Sequence, residues 1–188
     1  MRRPLLVAVA AGLLLLTACG GGDDAATPTL PPISPVVPTS AAPSPTASPV
    51  PIVTKPPEAD AETPVGAEAF TRYYIGILNQ AYLLVDPAAL VPLSSPDCQA
   101  CNAYINDLRS AKHAGRTYEG GDLAIREVVA PPDTGPETDV LVNVDGAAME
   151  EYDREGALVD TTPPSSNVTL QMRLRREGAS WQLLELRG

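Results

Sequence analysis

Proline and aromatic residues divide this 188-residue chain into two regimes. Thirteen of its 21 prolines lie in the first 64 residues, whereas all eight aromatics (Phe70, Tyr73, Tyr74, Tyr82, Tyr104, Tyr118, Tyr152 and Trp181) lie beyond them. A stretch without aromatic side chains buries too little apolar surface to offset its ordering entropy. The remainder, residues 64–188, suffices for one core and is too short for two large domains. The net charge of −10 argues against a nucleic-acid partner, which requires a basic footprint.

The front end reads as an address followed by a spacer. Met1-Arg2-Arg3 is positive, and Pro4 to Leu16 is an apolar run of 13 residues, too short to span a bilayer and suited to a signal peptide. It ends in Leu16-Thr17-Ala18-Cys19-Gly20, which resembles the bacterial lipobox. That resemblance implies cleavage after Ala18, diacylation of the Cys19 sulfur and acylation of the new N-terminus. One acyl chain holds a protein marginally, two or more hold it stably. The expected location is the outer, extracytoplasmic face of the cytoplasmic membrane, with the membrane a partner through Cys19. The competing reading is an ordinary signal peptide whose cysteine falls near the cut.

From Gly20 to Thr63, proline recurs among Ser, Thr and Ala with no helical or alternating period. Residues 19–63 are expected to form a disordered tether, reaching about 140 Å as stiff polyproline II and about 40 Å as a coil. Its Ser/Thr content also permits an O-glycosylated stalk. The expected organisation is thus a signal peptide over 1–18, a tether over 19–63 and a folded domain over 64–188. Cleavage would leave a side-chain charge of −12, of which residues 65–188 contribute −8 (ten basic against eighteen acidic residues).

The domain reads as helices, then strands. Thr63-Pro64 is a cap with proline at the first helical position. After it Phe70, Tyr73, Tyr74, Ile77, Leu78, Ala81, Tyr82 and Val85 recur at spacings of three and four. Asp86-Pro87 stops this helix and starts a short second one through Leu90. Ser95-Pro96 opens a third, ending at Gly115. The period then becomes two. Leu123, Ile125 and Glu127 alternate with Ala124, Arg126 and Val128, and Val140, Val142 and Val144 with Leu141, Asn143 and Asp145. Val168, Leu170, Met172 and Leu174 alternate with Thr169, Gln171, Arg173 and Arg175. Asp145-Gly146 is either a tight turn or, the preferred reading, a bulge in one strand continuing through Tyr152. Trp181 to Arg187 supplies a last strand. Three helices followed by an antiparallel sheet define an α+β fold.

Three stretches carry a family resemblance: Gly66-Ala67-Glu68-Ala69-Phe70-Thr71-Arg72-Tyr73-Tyr74, Leu78-Asn79-Gln80-Ala81-Tyr82, and Ser95-Pro96-Asp97-Cys98-Gln99-Ala100-Cys101. With Tyr118-Glu119-Gly120-Gly121 and the closing Trp181-Gln182-Leu183, they resemble the domain-of-unknown-function 6318 family of actinobacterial lipoproteins. The resemblance covers residues 58 to 188. It implies a nuclear transport factor 2-like, or ketosteroid-isomerase-like, cone: a curved antiparallel sheet around helices, with an internal pocket. It implies no activity.

Three readings compete for Cys98-Gln99-Ala100-Cys101. An exported protein favours a structural disulfide. A redox pair at a helix start would exploit the lowered thiol pKa there. A metal site finds only His113 as a further soft ligand. The disulfide is expected. His113 itself reads as a solvated residue in a last helical turn, where a cation complements the dipole. Tyr73, Tyr74, Ile77, Tyr82 and Tyr104 are candidate pocket lining, with tyrosines at helical spacing more often core than catalytic. Arg173 and Arg175 on the wet sheet face form a candidate anion-binding surface, against a solvated face paired with its own acids. Glu150-Glu151-Tyr152-Asp153 is an acidic cluster lacking the ligand spacing of a calcium loop. No catalytic residue, cofactor or metal is called. The expected function is a membrane-anchored binding or scaffolding module of the envelope, with a cell-wall or envelope protein as partner. The alternatives are a small pocket enzyme of ketosteroid-isomerase-like fold, or a thiol oxidoreductase using Cys98 and Cys101.

Overall fold

A computed structural model describes residues 52–188. The signal sequence, Cys19 and the tether up to residue 51 lie outside the described residues.

Helix α1 (Pro64–Leu84) begins as its sequence dictates, with the Thr63 hydroxyl accepting from the Gly66 amide at 3.1 Å. Its buried face carries Phe70, Tyr74, Ile77, Leu78 and Ala81. It ends at Val85, whose φ of 50° is left-handed, with the Val85 and Asp86 amides bonded back to the Tyr82 and Ala81 carbonyls. A β-branched residue is rarely held in that region; here Val85 joins the core. Helix α2 (Gln99–Ala114) starts three residues later than Ser95-Pro96 suggests. The Ser95 amide instead donates to the Leu183 carbonyl at 2.8 Å, and Cys98 becomes the cap, its sulfur accepting from the Cys101 amide at 3.2 Å. The expected middle helix does not form. Only the 3-10 turn Val91–Leu93 stands between α1 and α2, because Pro87 and Pro92 leave no run of free amides long enough for a repeating α turn.

Seven strands follow: β1 (Thr117–Gly120), β2 (Leu123–Val129), β3 (Glu137–Gly146), β4 (Met149–Tyr152), β5 (Leu158–Thr162), β6 (Ser165–Glu177) and β7 (Ser180–Arg187). They make a four-stranded sheet of order β2-β3-β6-β7 and a three-stranded sheet of order β1-β4-β5, antiparallel throughout. Since β1 precedes β2, β3 precedes β4 and β5 precedes β6, the same three chain segments build both sheets. Each crosses between them at a short break: Gly121-Asp122, Ala147-Ala148 and Pro163-Pro164. The Gly121 amide donates to the Ala148 carbonyl, and the Ala147 amide to the Asp122 carbonyl, both at 2.9 Å. The bend is thus stitched by main chain. Gly120 has a φ of 74°, and a Cβ there would stand 2.2 Å from the Ala148 oxygen. The Asp145-Gly146 ambiguity resolves accordingly. The pairing of β3 with β6 shifts register between Val144 and Gly146, and the chain passes on to the second sheet without reversing.

Val140, Val142, Val144, Met172 and Leu174 point into the core, as their alternation predicts. β2 departs from simple alternation. Ile125 opposes Val144 and Glu127 opposes Asn143, so Arg126 is an extra residue. This bulge reverses the phase, and Val128 rather than Glu127 is buried. Helix α1 crosses the four-stranded sheet antiparallel to β2. Near the bend, the Asn79 amide group donates to the Leu123 carbonyl at 3.1 Å and accepts from its N–H at 3.0 Å. At the far end, Glu68 accepts from the Ala130 amide at 3.1 Å.

The packed unit starts ahead of Pro64. Residues 52–63, assigned by sequence to the tether, form a strap that includes the 3-10 turn Pro57–Asp60, with Ala59 fully buried. The Trp181 indole N–H donates to the Ala61 carbonyl at 3.0 Å, Arg176 donates to the Asp60 carbonyl at 2.7 Å, and Asp60 accepts from Ser180 at 2.9 Å and from Lys55. The Arg176 guanidinium lies 5.1 Å from the Trp181 ring centroid.

Candidate functional site

A cavity of about 250 Å³ opens inside the bend, between both helices and both sheets. Leu78, Asn79 and Tyr82 of α1 and Tyr104 of α2 form one wall. Gly120 to Leu123, Met149 and Thr162 form the other. The strand breaks lie at this wall, and Gly120 and Gly121 place no side chain in the gap. Asn79 spends both ends of its amide on Leu123, leaving an apolar and aromatic interior with Asp122 the single carboxylate on the wall.

Three tyrosines and one carboxylate brace the helix side. The Tyr82 ring meets Tyr118 at 5.2 Å and Tyr104 at 6.4 Å between centroids, both edge-on. Asp107 Oδ2 accepts from the Tyr82 hydroxyl at 3.2 Å and the Tyr118 hydroxyl at 3.3 Å. Burial first, then the Asp107 charge, holds the Tyr82 phenol far above its ordinary pKa. The same causes in the same order push Tyr118 up to about 12. These phenols stay protonated donors at neutral pH.

The sequence-derived site residues scatter. Tyr104 lines the cavity, whereas Tyr74 is buried in the core, paired with the Ser94 hydroxyl at 3.1 Å and pushed by burial up to about 12. Tyr73 is half-buried against the core, and Ile77 is buried in the core away from this cavity. Sequence reasoning finds Tyr82 and Tyr104 and misses Leu78, Asn79, Leu123 and Met149 as lining residues. The signal that could have found them is Gly120-Gly121-Asp122, which breaks a strand without reversing it.

Cys98 and Cys101 form the expected disulfide, and both residues are buried. No sulfur is presented to a redox partner, which removes the footing of the oxidoreductase reading. Arg173 is engaged by Asp139 through two hydrogen bonds, of 2.9 and 3.3 Å, and lies 3.6 Å from Glu185. Asp133, Glu137 and Asp139 share its surface depression, so an anion there meets carboxylates first. Arg175 sits opposite Glu137 on the same face. His113 is exposed in the last turn of α2. The acidic cluster has local partners: Glu150 accepts from Tyr152 at 2.6 Å, Glu151 pairs with Arg116 at 2.6 Å, and Asp153 caps its turn by accepting from the Glu155 and Ala157 amides. Among the described residues, no group of three or more His, Cys, Asp or Glu side chains is placed to hold a metal ion, and no helix is long and apolar enough to cross a membrane.

Residues 37–187 match the profile of the Family of unknown function (DUF6318), and the chain belongs to that family. No curated protein matches it in sequence. Among solved structures it is similar to the intermembrane space region of the chloroplast protein ARC6, at 16% identity and a TM-score of 0.45, over 65% of this chain and 92% of that one. It is also similar to Aln2 from a Streptomyces species (8% identity, TM-score 0.41, 65% and 87% covered). A putative aromatic ring hydroxylase from Novosphingobium aromaticivorans is similar at 12% identity and a TM-score of 0.41, over 65% and 87% of the two chains. These likenesses are remote, and the description of the fold rests on its own strand order, β2-β3-β6-β7 and β1-β4-β5.

Proposed function

We propose that this protein is a lipid-anchored binding module of the bacterial envelope, held at the outer face of the cytoplasmic membrane by acyl chains on Cys19, with the bend cavity as its ligand site. The lipobox at Leu16–Cys19 supports the anchor. The observation that carries the binding role is the cavity wall itself: Leu78, Tyr82, Tyr104, Leu123 and Met149 around about 250 Å³. Apolar walls with a few fixed polar groups suit ligand capture. The volume lies just below the ~300–1,000 Å³ of sites for drug-sized molecules, so the ligand is small, and the aromatic edges favour a planar apolar one. Catalysis by this wall would need a base facing an acid, and the phenols of Tyr82 and Tyr118 are committed to Asp107 instead.

The test is mass spectrometry of small molecules extracted from the protein purified out of its own membrane, compared with a Met149→Trp variant whose indole fills the cavity. A compound carried by the wild type and lost in the variant is expected. The same compounds in both would contradict the proposal.

A further inference from the structure

The bend cavity carries charge of one sign. Its wall holds no Lys, Arg or His, and Asp122 is its single carboxylate. The basic side chains of the neighbouring strands are already engaged: Arg116 pairs with Glu151 at 2.6 Å and Arg126 with Asp145 at 2.5 Å. Asp122 stands outside this pairing. Among the described residues its carboxylate makes no hydrogen bond and no ion pair. The main chain beneath it is nevertheless fixed. The Asp122 carbonyl accepts from the Ala147 amide, and the Gly121 amide donates to the Ala148 carbonyl, both at 2.9 Å. On the other side, Leu123 gives its N–H and its carbonyl to Asn79. A free carboxylate is thus held at the cavity's exposed rim by backbone pinned before and after it.

A second carboxylate stands behind the helix wall, where Asp107 accepts from the Tyr82 and Tyr118 hydroxyls at 3.2 and 3.3 Å. Both sides of the cavity therefore bring negative charge towards it, and neither brings positive. The charge of −8 over residues 65–188 has the same sign and adds to the field that draws a cation in.

We infer that the ligand of this cavity is a small amine: an apolar ring seated among Leu78, Tyr82, Tyr104, Leu123 and Met149, with a protonated amino group against the Asp122 carboxylate. The inference rests on the reading of the cavity as a ligand site and names the chemical class that site selects. An ammonium group gains a fixed partner here without breaking an existing pair. A carboxylate or phosphate on the same ring meets like charge from two directions, and a neutral polar group leaves Asp122 to water. Because Asp122 is exposed, its pairing sets which ligands are preferred more than how tightly they bind. A preference of about fivefold for the cation over a neutral ligand of equal size is the scale for such a pair.

Three probes of matched shape test this by nuclear magnetic resonance titration of the intact chain: 2-phenylethylamine, 2-phenylethanol and phenylacetate. The amine is expected to bind about fivefold more tightly than the alcohol, and phenylacetate more weakly than either. The preference for the amine should shrink to less than twofold in Asp122→Asn, and also in the unsubstituted chain at about 1 M salt, where screening is effective within ~3 Å. Equal affinity for amine and alcohol in the unsubstituted chain would overturn the inference while leaving the cavity a ligand site. So would a preference that survives Asp122→Asn. Shifts centred away from Tyr82, Tyr104 and Met149 with all three probes would instead remove the cavity as the ligand site, and this inference with it.

Discussion

The indole N–H of Trp181 donates to the main-chain carbonyl of Ala61 at 3.0 Å, joining the last strand to a segment 120 residues earlier. Trp181 is 1% exposed and carries Arg176 over its ring, so one side chain fills the core, satisfies the half-buried Ala61 carbonyl and positions a cation. Trp181→Phe keeps most of the packing and removes the donor. A loss of about 2 kcal/mol is expected, read as a lower denaturant midpoint at an unchanged slope. A chain beginning at Pro64 lacks Ala61 and the rest of the strap, and should lose more.

The tyrosine cluster sets the alkaline limit of stability. Tyr74 and Tyr118 titrate near 12 in the folded chain, and Tyr82 is also raised, against about 10 unfolded. A phenol with a raised folded pKa contributes stability that is complete below pH 10. That contribution is lost as pH climbs through the folded value, because the unfolded state releases its proton first. Stability should therefore hold up to about pH 10 and fall between 10 and 12. Asp107→Asn removes the second cause of the Tyr82 and Tyr118 shifts while leaving burial, so ultraviolet titration should show both moving part of the way back.

Reduction should require unfolding. Cys98 and Cys101 are 1% and 0% exposed, so thiol counting on the native, oxidised domain is expected to find neither reactive. Replacing both with Ser and Ala should cost about 2 kcal/mol, the chain-entropy value for so short a loop.

Asn79 closes the cavity's edge by bonding both the N–H and the carbonyl of Leu123. Asn79→Leu strands two main-chain groups in a half-buried position. A cost of about 2 kcal/mol is expected, with amide exchange at Leu123 accelerating more than exchange in β6.

Cys19→Ser should shift the protein from the membrane pellet to the soluble fraction. Continued detergent-dependent fractionation would count against the lipid anchor.

The parts of this fold written in local chemistry are legible in the sequence. Thr63-Pro64 caps α1, Gly115 ends α2, and the alternation of Val140 to Val144 and of Val168 to Leu174 marks the core face of two strands. What escapes depends on partners far along the chain. Residues 52–63 read as tether because their own composition cannot fold. Their order comes from Trp181, Arg176, Ser180 and the close approach to Gly66. The Arg126 bulge is invisible to a period-two reading, since one extra residue exchanges Glu127 for Val128 without changing either residue's character. The cavity is half visible. Tyr82 and Tyr104 can be named from helical spacing, but Leu78, Asn79 and Met149 become neighbours only once the strands break at Gly121-Asp122 and Ala147-Ala148.

The most direct measurement of the central claim is a nuclear magnetic resonance titration of the intact chain with 2-naphthol, a small planar apolar probe. Saturable shifts confined to the rings of Tyr82 and Tyr104 and the methyl of Met149 are expected, with affinity at least tenfold weaker in Met149→Trp. Equal affinity in both proteins, or shifts centred away from the bend, would contradict a ligand site in the cavity.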